Sequence, residues 1–113
     1  MQGFTKEQII SAVASGQLEA SQATQQYLAQ HGDRDCCGFA WVTVHGVRGN
    51  TKQGMALKAA GFSPAYGGGL QLWNPAKSYT QSISALEAGA EAFVAYFRAR
   101  FPEVKIYTGS RMD

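Results

Sequence analysis

Residues 38–45, GFAWVTVH, alternate with a period of two, placing Phe39, Trp41 and Thr43 on one side of an extended chain and Ala40, Val42 and Val44 on the other. The stretch therefore predicts a strand over 37–45. Apolar residues on both sides predict a central strand, covered on both faces. Such a strand cannot stand alone. It needs partner strands for its backbone groups and helices to bury its side chains, and the rest of the chain must supply them.

The N-terminal third supplies helices. Thr5-Lys6-Glu7-Gln8 is a capping box, and Phe4 and Ile9 flank it as a hydrophobic staple. A helix is expected from about residue 5 to 15, ended by Gly16, then an Ala- and Gln-rich helix from about 19 to 30 with Gly32 beyond it. Leu18, Tyr27 and Leu28 are the few large apolar residues of the second helix, so the pair must dock on something else. Residues 1–33 thus read as a helical hairpin, 33–36 (DRDC) as a linker, and 36–113 as an α+β core, all within one compact domain.

Beyond the first strand, a short helix is expected from Asn50 to about Ala60, stopped by Gly61. FSPAYGGGLQLWNP reads as two short strands around Gly67-Gly68-Gly69, with Asn74-Pro75 as a turn. Ser78-Tyr79-Thr80-Gln81 is a second capping box, expected to launch the longest helix. Ile83, Leu86, Ala90, Phe93 and Phe97 form its apolar stripe, Pro102 ends it, and VKIYT alternates as a last strand. The fold class is α+β: a helix pair, then β-α-β-β-α-β, in a small, mostly antiparallel sheet with helices packed on it. A ferredoxin-like sandwich has that order.

Bulk composition narrows the function classes. A chain of 113 residues with 45% hydrophobic and 16% charged residues is long enough for one core and too apolar for disorder. Its net charge of +2 is too small to argue for nucleic acid by itself. The charge is uneven: residues 1–46 carry a net −2 and the remainder +4, which allows an anionic partner on the C-terminal two-thirds, and a solvated face would look the same. No apolar run approaches the roughly 18 residues of a membrane helix, so no membrane association is expected. No secretory leader is recognised at the start. Cys36 and Cys37 are sequence neighbours, which disfavours a disulfide and points to a reducing cytoplasm.

Chemistry-bearing residues are sparse. If 37–45 is one strand, His45 lies about 26 Å from Cys37, too far to act as its base. Both cysteines therefore read as buried or half-buried structural thiols at the start of a strand. Positions 31, 36, 37 and 45 lack the spacing of a zinc site, so neither a metal nor a cofactor is expected. Glu87 and Glu91 lie one helical turn apart but off the apolar stripe, as on a solvated face.

Three segments could bind. The loop 46–52, with Arg48 and Lys52, runs from a strand into a helix N-terminus, where free N–H groups attract anions; it carries neither a P-loop nor a dinucleotide fingerprint, and a Gly-containing connector with an ordinary N-cap is the favoured reading. Tyr66-Gly67-Gly68-Gly69, followed by Trp73-Asn74, is the most unusual composition. A hairpin needs at most one or two glycines, so the third invites a contact, and flanking aromatics suit a binding platform; a loose hairpin with core aromatics is the equal alternative. Arg111 lies in a terminal segment that would fray by default, yet its side chain suits carboxylate or phosphate recognition.

Several of these blocks together, CGFAWV, YGGG followed by WNP, a Gln-Ser helix start with Ala-Gly-Ala, and a closing SR-x-D, resemble an uncharacterised family of small tailed-bacteriophage proteins over about residues 37–113. The resemblance implies a phage origin and a working life in the host bacterial cytoplasm, without a mechanism. The expected function is a small, non-enzymatic phage binding protein that acts on a host factor or small anionic ligand, in an accessory or anti-defence role. Tyr66, Gly67, Gly68, Gly69, Trp73, Asn74, Arg48, Lys52 and Arg111 are its expected contact residues. The alternatives are a small enzyme acting on a nucleotide or peptide through Cys36 or Cys37, and a minor virion component. Self-association is also expected, to cover the thin N-terminal helices, and nucleic acid stays a weakly supported partner.

Overall fold

Thr5 opens the first helix as the capping box requires. Its hydroxyl accepts from the Gln8 N–H at 3.1 Å, and Gln8 Oε1 accepts from the Thr5 N–H at 2.8 Å. The computed structural model, which describes residues 1–113, then runs α1 (Lys6–His31), β1 (Gly38–His45), α2 (Lys52–Ala59), β2 (Ser63–Pro64), β3 (Leu70–Trp73), α3 (Ile83–Arg100) and β4 (Lys105–Met112). The expected helix pair is a single helix, and at 26 residues it is the longest element, exceeding the 18 of α3. Gly16 does not end it. A C-terminal glycine needs a left-handed backbone, which Gly32 adopts (φ 72°) and Gly16 does not. Gly16 is instead a notch, because a Cβ there would lie 2.8 Å from Cε2 of Phe93 on α3.

Small residues continue that notch. Ala12, Gly16, Ala20 and Thr24 are buried at four-residue steps, and Gly89 of α3 faces Thr24 and Ala20. The two helices therefore approach closely, and the buried Thr24 hydroxyl donates to the Ala85 carbonyl at 2.7 Å. This is how a helix with few large apolar residues docks within its own chain. Phe93, Phe97 and Phe101 are fully buried: Phe93 and Phe97 stack, Phe97 meets Phe101 edge-on, Phe93 reaches Gly16 of α1, and Phe101 reaches Phe4. The second capping box is displaced. Ser82, not Ser78, caps α3, accepting from the Ala85 N–H at 3.1 Å, with Asp35 accepting from the Ser84 N–H at 3.0 Å.

The sheet is antiparallel throughout, in the order β2-β3-β1-β4. β1 is central: Trp41 pairs with Trp73 on β3 and with Gly109 on β4. Helices cover one face only, correcting the expectation of a strand covered on both sides. Ala40, Val42 and Val44, with Leu70, Leu72 and Ile106, are buried beneath them. The terminal segment is not frayed: β4 pairs with β1 from Lys105 through Met112, and the Asp113 N–H donates to the Cys37 carbonyl. No helix is long and apolar enough to cross a membrane.

Candidate functional site

Strand pairing decides what the bare face carries. Side chains alternate, so the partners of Phe39, Trp41, Thr43 and His45 share their face: Gln71 and Trp73 from β3, and Lys105, Tyr107, Gly109 and Arg111 from β4. No element of the chain crosses this face. Phe39, Trp73 and Tyr107 are 39%, 46% and 51% exposed, too much for core residues and unusual for three aromatics on one surface.

The rings form one cluster. Trp41 and Trp73 lie 4.8 Å apart by ring centroids, Phe39 stands edge-on to Trp73 at 6.1 Å, and the Arg111 guanidinium sits 5.7 Å from the Phe39 ring centre. Trp41 lies flat on the sheet. A Cβ at Gly109 would fall 2.5 Å from its Cε2 and 2.8 Å from its Cζ2, so the indole covers the bare backbone of β4 and turns a ring face outward. Both tryptophans of the chain belong to this surface.

The expected contact residues separate into two groups. Trp73 and Arg111 lie on the aromatic face. Gly67, Gly68 and Gly69 form the β2–β3 turn at the other end of β3, where Gly68 and Gly69 line an open depression of about 500 Å³ with Arg48 and the 46–49 loop. Tyr66 is fully exposed at that turn and touches neither Trp73 nor its cluster. Lys52 points to a different hollow beside Phe4 and Met55. Asn74 is occupied internally: with φ 47° it starts the turn after β3, and its side-chain amide donates to the Ser78 carbonyl at 2.9 Å. The 46–52 loop is held from within, because Thr51 caps α2 through the Gly54 N–H while its hydroxyl donates to the Arg48 carbonyl.

The third glycine also has an internal cause. Gly69 has φ 82°, and a Cβ there would lie 2.8 Å from the Val44 carbonyl and 3.2 Å from His45 Nδ1. Turn geometry thus demands it before any ligand does. Sequence reasoning missed Phe39, Trp41 and Tyr107 as surface residues. Their alternation with buried neighbours was visible; which face the helices take was not.

The cysteines correct a further expectation. Cys36 and Cys37 are both exposed, and Cys37 Sγ donates weakly to Gln81 Oε1 at 3.4 Å. They lie before the start of β1, and His45 lies at its other end. Hydrogen bonds from the Ser82 and Ser84 side chains, and then from the Ser84 amide, hold the Asp35 carboxyl below its ordinary value. Against protein-family models, curated proteins and solved structures, the chain finds no match.

Proposed function

We propose that this chain is a non-catalytic binding protein of a tailed bacteriophage, acting in the host cytoplasm on a host factor or an anionic ligand through the open face of its sheet. One observation carries the reading: Phe39, Trp41, Trp73 and Arg111 form a continuous aromatic and cationic surface that no part of the chain covers. Desolvating rings of this size is a large source of binding energy, and an unoccupied sheet face exposes them at a standing cost in solubility. The strand order β2-β3-β1-β4, with α2 and α3 as crossovers on one side, supports the reading of the scaffold as a ferredoxin-like sandwich. In that scaffold the face opposite the helices is the free one. The phage origin rests on the resemblance of the CGFAWV, YGGG, WNP and SR-x-D blocks.

The small-residue stripe of α1 is occupied by α3, so it is not the surface that self-association would use. Affinity capture from host lysate tests the proposal. Replacing Trp73 and Arg111 together by Ala removes only exposed side chains, so the variant keeps its thermal midpoint and loses the partner that the wild type retains. A partner retained equally by the folded variant overturns the open face as the working surface.

A further inference from the structure

The aromatic face has a chemistry that narrows its occupant. Its outward side chains are Phe39, Trp41, Thr43, His45, Gln71, Trp73, Lys105, Tyr107 and Arg111. Ser63 of β2 shares this face opposite Gln71; none of these residues is aliphatic or a carboxylate, and Asp113 follows two residues after Arg111 at the end of β4. Aromatics and Arg are also what protein interfaces enrich, so the rings by themselves do not choose the partner and the groups between them must. Here the residues between the rings are a hydroxyl, an amide and an imidazole. Those groups hydrogen-bond the edges of planar heterocycles while the rings stack on their faces.

The cations are arranged to match. Lys105 and Arg111 stand on the outward side of β4, the edge strand. From the helix side, Arg98 reaches the same edge: its guanidinium donates to the Ile106 carbonyl at 2.7 Å and sits 5.5 Å from the Tyr107 ring centre. Three positive charges thus lie along β4, Arg111 beside Phe39, Arg98 beside Tyr107 and Lys105 opposite His45. Carboxylates stand close by: Glu91 lines the same hollow as Arg98 and Tyr107, Glu103 lines another with Lys105 and His45, and Ser110 bonds Glu87 on the helix side.

We infer that the open face of the sheet binds single-stranded nucleic acid, with bases stacked on Trp41, Trp73 and Phe39 and phosphates following the cations along β4. This inference rests on the reading of that face as the working surface and names its partner. The flatness of the platform is built in, because Gly109 lets the Trp41 indole lie on the backbone and Gly69 keeps the next position clear beside His45. By analogy of architecture alone, four-stranded antiparallel sheets with aromatics on their central strands stack two or three bases in this way. Double-stranded nucleic acid does not fit: its bases are stacked on each other and offer no free face to the rings.

Because both tryptophans lie on the platform, their emission reports its occupancy. Short oligothymidylate and oligouridylate, a duplex of equal length and inorganic pyrophosphate are titrated separately into the full chain at low salt. The expected result is saturable quenching by a single strand, with the duplex and pyrophosphate at least about tenfold weaker. The tighter of the two single strands identifies DNA or RNA as the source. Trp73→Ala weakens single-strand binding about tenfold, and Lys105→Ala and Arg111→Ala each reduce the slope of log K against log salt by about 0.7. Absence of saturable quenching by either strand overturns the inference, as does binding that the folded Trp73→Ala variant retains in full. If light scattering shows a dimer that Trp73→Ala dissociates, with no oligonucleotide bound, the nucleic-acid inference fails while the working surface stands. If the folded Trp73→Ala and Arg111→Ala variants match the wild type in every titration and in lysate capture, both readings fail.

Discussion

Gly109 and Trp41 illustrate how one residue can shape a surface without touching a ligand. A methyl group at Gly109 meets the indole and little else, and the backbone there has ordinary torsions. Gly109→Ala is therefore expected to leave the fold intact, lift Trp41 off the sheet, shift its emission and weaken binding to the open face; ring-current shifts in NMR spectra would show the displacement. Asp35 acts differently. Its lowered carboxyl value means that folding binds the charged form better, so its stabilisation is present above the unfolded value near 3.9 and is lost as pH falls through the lower folded value. Asp35→Ala should lower the urea midpoint at neutral pH, and the difference should shrink on acidification below about pH 4. Neither contact was legible beforehand. Gly109 and Trp41 are far apart in sequence, and only strand register brings them together.

Among the elements, local grammar succeeded where the deciding contacts were local. The capping box at Thr5, the stop at Gly61, the alternation of 38–45 and the stripe of α3 all depend on neighbours within a few residues. It failed at Gly16 because the deciding contact is Phe93, on another helix. Glycine in a helix interior costs about 1 kcal/mol relative to Ala, which made a helix end the natural reading. That same cost sets up a test of sign. If Gly16 only broke the helix, Gly16→Ala would stabilise the protein. With Phe93 against it, overpacking of about 1–3 kcal/mol outweighs the propensity gain, and denaturant unfolding should show net destabilisation. Phe93→Ala, which empties the centre of the core, should cost about 3–5 kcal/mol in the same measurement. The displaced cap of α3 has a similar cause: Ser78 is engaged with Asn74 in the preceding turn, leaving Ser82 free to start the helix.

At the scale of the whole molecule, three helices lie on one side of a four-stranded sheet and nothing lies on the other. The strand content and the α+β class were readable from periodicity. The asymmetry of the layers was not, since Phe39 and Trp41 look like core residues until the helices choose their side. The expected contact residues divide between two places for the same reason. Turn geometry accounts for Gly69 of the triple glycine, while Trp73 and Arg111 lie with Phe39 and Trp41 on the open face. The central claim is that these rings are bare in the free protein and covered in the working complex. Acrylamide quenching of the two tryptophans, before and after the partner is bound, tests this most directly. The account predicts ready quenching in the free chain and strong protection in the complex; indoles shielded in the free chain, or equally accessible in both states, would contradict it.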